Sequence, residues 1–267
     1  MIVKFREYLK KKELSNSTIV SYVWTANYYL LYYGNFSRGN LLAYKNWLIK
    51  NYRPQTVNAR LQGLNKFLEF AKKPHLKIKF VKVHNRNYLE NVISDADYRF
   101  LKNQLQKDGL IEWYFVVWFL AATGARISEL LQIKVEHVHA GYLDMYTKNG
   151  AIRRLYIPKN LRDAALSWLT LEKNFSGYIF KNYYGKPISS KFVYRYLKMF
   201  AQNYGINTQV VYPHSFRHRF AKNFLEQFND LALLADLMGH KSIETTRIYL
   251  RRTAFEQQQI VDTIITW

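Results

Sequence analysis

His214-Ser215-Phe216-Arg217-His218, then Leu237-Met238-Gly239-His240, then Thr245-Thr246-Arg247-Ile248-Tyr249: this short stretch sets imidazoles, a guanidinium and a phenol in two small groups on either side of an apolar, helix-like run. A structural helix pair has no use for that combination. It suits chemistry on a phosphate, where guanidinium donors bind the oxygens, imidazoles move protons and a phenol can attack. Upstream, Thr123-Gly124-Ala125-Arg126-Ile127-Ser128-Glu129-Leu130 places an arginine just after a helix-breaking glycine and a carboxylate one turn on. Between the two regions, Tyr142–Lys148 and Ala151–Ile157 flank Asn149-Gly150, the strongest short signal for a β-hairpin.

Charge points the same way. The 267 residues carry 40 Lys+Arg against 19 Asp+Glu, a net +21 with a pI near 9.9. So large an excess implies a polyanionic partner, with a generically basic protein or an RNA-binding one as the competing readings. Residues 1–90 hold 17 basic and 4 acidic residues, whereas 91–267 hold 23 and 15. The first third is thus the more purely electrostatic part, and the rest balances its charges as an enzyme core does. The absence of cysteine excludes a disulfide framework, a thiol nucleophile and a zinc-thiolate site, which agrees with a cytoplasmic protein. Met1-Ile2-Val3-Lys4-Phe5-Arg6 has no signal-peptide character. Leu14 to Ser37 is uncharged, which raises a membrane span, but its Ser, Thr and Asn content, with Asn27 mid-stretch, favours a helix outside the membrane.

The periodicity predicts a mostly α protein with one small antiparallel β-sheet. Ile2, Phe5 and Leu9 share a helical face; a second helix runs from a Ser15 or Ser17 cap to Gly34, a third covers about 40–52, and a fourth follows Pro54 with Val57, Leu61, Leu64 and Leu68 as its core stripe. Tyr22, Trp24, Tyr28 and Tyr29 read as core of this bundle more than as a stacking surface. Residues 73–92 lose helical period and gain charge, as a linker crossing a phosphate backbone would. Ser94 caps a new helix, Ile111–Ala122 is a buried one, Arg126 opens another, Tyr178–Phe180 suggests a short strand, Ser189 caps a helix to Phe200, and helices resume after Pro213. His137 and His139 read as a solvated turn.

Taken together, Thr123–Leu130, a hairpin Lys148, His214-x-x-Arg217-His218, Leu237–His240 and Tyr249 resemble, in order and spacing, the tyrosine recombinase (phage integrase) family, in its Xer-like form. The motifs cover about 94–250; the N-terminal bundle matches the family's core-binding domain only in size, helix content and basicity. The resemblance implies a DNA-binding helical domain at 1–72, a linker at 73–92, an α+β catalytic domain at 93–253 and a tail helix at 254–267, the two domains closing around duplex DNA. It implies Tyr249 as nucleophile, Arg126 and Arg217 clamping the non-bridging oxygens, His214 as base and later acid, His240 bonding the phosphoryl group, and Lys148 protonating the leaving 5′ oxygen. Lys134 and Lys159 are the alternative lysines. Ionising a tyrosine of pKa about 10 at pH 7 costs about 4 kcal/mol, so the nucleophile needs that base or strong positive charge. Glu129 and His218 are expected as support. The His214–His218 spacing also suits a metal on a helix, but no acidic or cysteine ligand stands at a suggestive distance. Arg219 departs from the family, which often has a small hydroxyl residue there; a DNA contact or a solvent-facing side chain is expected.

The activity so implied is site-specific recombination: a 3′-phosphotyrosyl intermediate, a Holliday junction, and no cofactor, ATP or metal. The expected partners are double-stranded DNA and further copies of the chain in a tetramer, with no membrane and with mobile-element movement among the roles. Ala254, Phe255, Ile260, Val261, Ile264, Ile265 and Trp267 form an apolar tail face expected to dock on a neighbouring protomer or on its own domain. A type IB topoisomerase-like enzyme and a non-catalytic DNA-binding member of the family are the alternatives.

Overall fold

The computed structural model describes residues 1–83, 91–146, 152–240, 242–250 and 254–264, the side chains at 254–257 and 260 excepted. The chain divides into two compact units, Met1–Asn85 and Arg86–Trp267.

The first unit is built from α1 (Ile2–Lys11), α2 (Asn16–Tyr33), α3 (Arg38–Asn51) and α4 (Pro54–Phe70). Local chemistry sets their ends. The Ser15 hydroxyl accepts from Thr18 N and opens α2, and Gly34, at φ +68°, closes it; Ser37 opens α3, and Pro54 takes the first position of α4, where its missing N–H costs nothing. Val57, Leu61, Leu64 and Leu68 of α4 are buried with Tyr29, Leu41, Tyr44 and Leu48, and Phe5 and Leu9 close on Ile19, Val23 and Phe67. Of the four aromatic residues expected in the core, Tyr29 is buried, Tyr22 and Tyr28 are half-buried and Trp24 is exposed. The charged stretch after α4 stays on this unit for several residues. Asn65 and Asn58 each exchange two hydrogen bonds with its backbone, at Ile78 and Val81, and Ile78 is buried.

The second unit is wrapped around α6 (Ile111–Thr123), whose Phe115, Val116, Val117, Phe119 and Leu120 are buried, as its all-round apolar sequence requires. It packs between α5 (Asp95–Lys107, capped by Ser94) and α11 (Pro213–Phe228). Two short helices, α7 (Ile127–Leu130) and α8 (Val135–Ala140), lead into β1 (Tyr142–Tyr146) and β2 (Ile152–Tyr156), which pair antiparallel with Tyr142 opposite Tyr156 and Tyr146 opposite Ile152. Leu143 and Leu155 face the core, and Asp144 and Arg154 pair across the strands at 2.7 Å. After α9 (Lys159–Leu171) and α10 (Ser190–Asn203, capped by Ser189), α11 leads to α12 (Leu231–Met238), α13 (Ile243–Arg247), a 3-10 turn at Ile248–Leu250 and α14 (Ala254–Ile264).

The fold is therefore mostly α with a small antiparallel sheet. Three details differ from expectation. Tyr178–Phe180 is not a strand: a single isolated bridge joins Tyr178 to Lys134. His137 belongs to a helix, α8, and its Nδ1 accepts from Lys134 N at 3.0 Å. Helix α9, with Leu161, Ala165, Trp168 and Leu169 on one buried face, has no counterpart among the expected elements. Among the described residues no helix is long and apolar enough to cross a membrane, α2 included.

Candidate active site

The site is assembled at two helix ends. At the first, α6 stops at Gly124, in the left-handed region at φ +62°, where a side chain would also strike Phe220 of α11. Thr123 braces the turn: its hydroxyl donates to Phe119 O and accepts from Ala125 N. The turn releases Arg126 as the residue that caps α7. Glu129, one turn on, accepts from the Arg126 backbone N at 2.7 Å with one oxygen and from Arg126 Nη1 at 2.8 Å with the other. Glu129 is thus a buried support that fixes both ends of Arg126, not a solvated side chain.

The second end is the C-terminus of α12, where the last carbonyls lack intrahelical partners and the helix dipole is negative. Three arginines take three successive carbonyls. Leu237 O accepts from Arg153 Nε and Nη2 at 3.0 and 2.8 Å, Met238 O from Arg217 Nη2 at 2.6 Å, and Gly239 O from Arg126 Nη2 at 3.3 Å. Gly239 itself sits at φ +60°, and a Cβ there would run into the Arg153 side chain, so both backbone and packing demand glycine. Arg217 is further held by Gly124 O at 2.6 Å, so one guanidinium ties the end of α6 to the end of α12.

His240 follows directly. Arg217 Nη2 donates to His240 Nε2 at 3.0 Å, and since a guanidinium has donors only, the neutral ring carries its proton on Nδ1 and gives it to Thr246 Oγ1 at 2.8 Å. Burial and the charges of Arg217, Arg126 and Arg153 push the His240 pKa down to about 4, so the ring is neutral near pH 7. A phosphoryl group reaching Nε2 would have to displace Arg217 from it.

Tyr249 lies in the 3-10 turn after α13, buried with Ala221, Leu225, Leu234 and Met238, with Ile248 packed against the same cluster. The His240 ring stacks near it at 6.1 Å and 12°, and the His218 ring lies 5.4 Å away. Burial holds the phenol's pKa above its ordinary value, and the charges of Arg217 and Arg126 offset only part of that rise. His214, at the exposed start of α11, meets the group through His218, ring centroids 6.4 Å apart; burial and the charges of Arg217 and Arg126 hold it below its ordinary pKa, ready to accept a proton. His218 is the more buried of the pair, and its Nδ1 has no hydrogen-bond partner among the described residues. Burial, with His214 and Arg217 beside it, drives its pKa down to about 4.

Arg126, Glu129, Arg217, His218, His240 and Tyr249 therefore come together. Lys148 lies outside the described residues. Of the alternative lysines, Lys134 caps α8 with its ammonium 5.3 Å over the Tyr178 ring, and Lys159 begins α9. Arg219 is neither solvated nor free for DNA: its Nε donates to Asp95 Oδ1 at 2.7 Å and its guanidinium stacks 4.0 Å over Tyr98.

Sequence reasoning missed Arg153. It is buried on β2, and its Nη1 lies 2.5 Å from Glu129 Oε1. Burial by itself would raise the Glu129 carboxyl; the Arg153 charge and the hydrogen bonds from Arg126 and Arg153 override it and hold the carboxyl below the usual range. The signal was available. Leu155 and Ile157 point inward on the strand, so position 153 does too, and an inward arginine demands an acidic partner. An open cleft of about 930 Å³ is lined by Arg126, Glu129, Arg153, His240 and the β1 residues Asp144–Tyr146, which sets two guanidiniums against two carboxylates.

Residues 91–256 match the phage integrase family. The tyrosine recombinase XerA of Pyrococcus furiosus is 28% identical over 272 residues, covering 98% of this chain and 93% of that protein. In fold, the chain is similar to the Tn1549 transposon integrase in complex with circular intermediate DNA (TM-score 0.73, 15% identity, 98% of both chains). It is also similar to the lambda integrase tetramer bound to a Holliday junction (TM-score 0.72, 16% identity, 94% of this chain and 77% of that one). The sequence motifs, the fold and the family match agree: this chain belongs to the phage integrase family, as a Xer-like tyrosine recombinase.

Proposed function

We propose that the chain, a site-specific DNA recombinase by family, cuts and rejoins DNA through Tyr249. Tyr249 Oη attacks the scissile phosphorus, a 3′-phosphotyrosyl bond forms, and the bond to the 5′ oxygen breaks. His214 takes the phenolic proton and Lys148 supplies one to the departing 5′ oxygen. Arg126 and Arg217 stabilise the charge that builds on the non-bridging oxygens, by planar, charge-assisted hydrogen bonds. The 5′ hydroxyl of a partner strand then attacks the phosphotyrosyl bond, and exchange of one strand pair yields a Holliday junction. Because the covalent link keeps the energy of the broken phosphodiester, resealing draws on no external source.

The observation that carries this reading is the convergence of Arg126 and Arg217 on adjacent carbonyls of one helix end, beside a neutral His240 whose ring stacks near the Tyr249 ring. Binding alone would not require a buried phenol in the field of two guanidiniums. A tetramer on two DNA sites is the working assembly. It is supported by the similarity to a recombinase captured as a tetramer on a junction and by α14, where Val261 and Ile264 are exposed. Incubation with nicked duplex in EDTA, followed by a denaturing gel, tests the chemistry: wild type is expected to give a protein–DNA adduct and Tyr249→Phe none. An adduct with Tyr249→Phe would move the nucleophile to another tyrosine.

A further inference from the structure

Helix α11 delivers three of the site's side chains from one side. His214, Arg217 and His218 share that side, and Ser215 and Arg219, four residues apart, lie on the opposite one. The helix begins at Pro213 without a side-chain cap, and a helix end is the part that opens most readily. His214 stands in that first turn, exposed. Arg217 is gripped by Gly124 O and Met238 O, whereas the His214 ring has no hydrogen-bond partner among the described residues.

The opposite side supplies what this end lacks. Ser215 Oγ accepts from Ile93 N at 2.7 Å, and both residues are buried. Phe216 is buried against Tyr98 of α5, ring centroids 6.4 Å apart. One turn on, Arg219 Nε donates to Asp95 Oδ1 at 2.7 Å, and its guanidinium covers the Tyr98 ring at 4.0 Å. Asp95 is itself well placed, as the first residue of α5 behind Ser94, whose hydroxyl accepts from Asp97 N at 3.0 Å. The small hydroxyl residue that the family often has at this position is too short to reach either partner. Because the Asp95 side chain is 51% exposed, the ion pair contributes little to stability. Its contribution is direction: it fixes the start of α11 against the start of α5.

We infer that Arg219 is a positioning residue for strand cleavage: bound to Asp95 and Tyr98, it holds the first turns of α11 so that His214 and Arg217 meet the scissile phosphate in register. The inference rests on the recombinase reading and adds to it a residue that touches neither DNA nor the reacting atoms. A misplacement of about 1 Å in such a group costs about 100-fold in rate, so a contact worth little in stability can be worth much in cleavage.

The full chain is followed in single-turnover cleavage of nicked duplex at saturating DNA, beside duplex affinity, its salt dependence and amide hydrogen exchange. Arg219→Ser is expected to slow adduct formation by about tenfold or more with duplex affinity unchanged. Arg219→Lys keeps the charge opposite Asp95 but loses the flat stack on Tyr98, and restores part of the rate. Asp95→Asn slows cleavage as well, and combining it with Arg219→Ser costs nothing further, since both break one contact. Tyr204→Phe is the control: it breaks the 2.7 Å bond to Asp108 at the other end of α5 and is expected to cleave at the wild-type rate. Exchange over residues 214–219 rises in Arg219→Ser and not in Tyr204→Phe. Wild-type cleavage or unchanged exchange in Arg219→Ser overturns the inference, as does equal slowing in Tyr204→Phe, which would mark a general loss of stability. Weaker binding with a shallower salt slope and an unchanged rate at saturation also overturns it, by making Arg219 a phosphate contact. A wild type that forms no adduct removes the catalytic reading, and the exchange measurement then decides by itself whether Arg219 holds α11.

Discussion

Arg153 Nη1 lies 2.5 Å from Glu129 Oε1, and the same carboxylate oxygen accepts from Arg126 Nη1 at 2.8 Å. One buried carboxylate thus couples the hairpin strand β2 to the arginine that opens α7. Arg153 also grips Leu237 O, so a single side chain links the hairpin, the start of α7 and the end of α12. Removing one partner of a buried pair leaves the other charge uncompensated, at a cost of about 3–5 kcal/mol. Arg153→Ala is therefore expected to lower the urea midpoint of the second unit clearly and to cut single-turnover cleavage by about 100-fold, through the loss of Arg126 geometry. Arg153→Lys keeps the charge but not the fork, and is expected to fall between the two. Wild-type cleavage by Arg153→Ala would contradict this coupling.

Gly239 and Gly109 offer a matched comparison, since both have positive φ, +60° and +70°. A Cβ at Gly109 meets nothing within 4 Å, whereas one at Gly239 meets Arg153. Gly109→Ala is expected to cost about 1–2 kcal/mol of stability with full activity. Gly239→Ala should cost more and abolish cleavage, because it displaces the carbonyls that hold Arg126 and Arg217. Equal effects in thermal unfolding and cleavage assays would argue against the helix-end assembly.

His218 and His240 are both held near pKa 4, against 6.5 for an unperturbed histidine. Below pH 6.5 the unfolded chain takes up protons that these folded rings refuse, so stability falls as pH drops from about 6.5 toward 4 and is flat above. Urea midpoints across that window are expected to decline, and His218→Phe should shallow the decline. A midpoint independent of pH between 4 and 6.5 would mean the rings are not held neutral.

Deleting residues 254–267 removes α14 and leaves the rest of the second unit. The truncated chain is expected to bind duplex as tightly as wild type, yet to sediment on DNA as smaller assemblies and recombine poorly. Full-rate recombination by the truncation would remove the tail from the account of assembly.

Much of the fold is legible because its punctuation is chemical. Ser15, Ser94 and Ser189 cap helices, Gly34 and Gly124 end them, and the α4 stripe repeats every three or four residues. Helix α9 escapes a sequence reading although Leu161, Ala165, Trp168 and Leu169 carry the period, because it follows Pro158 without a side-chain cap to announce it. Tyr178–Phe180 has strand residues but no second strand to pair along, and pairing is not a local property. In the site, motif order points to Arg126, Arg217, His240 and Tyr249, which the fold brings together. It cannot supply Arg153 or the fate of Arg219, whose partners Glu129 and Asp95 are close only after folding.

By the proposed chemistry, one tyrosine of 22 becomes joined to DNA. The most direct test traps the adduct on nicked duplex, digests protein and DNA, and maps the nucleotide-bearing peptide by tandem mass spectrometry. The modification is expected on Tyr249, linked to a 3′ phosphate, with the complementary fragment ending in a free 5′ hydroxyl. A nucleotide on any other residue, or a 5′-linked phosphate, would contradict it.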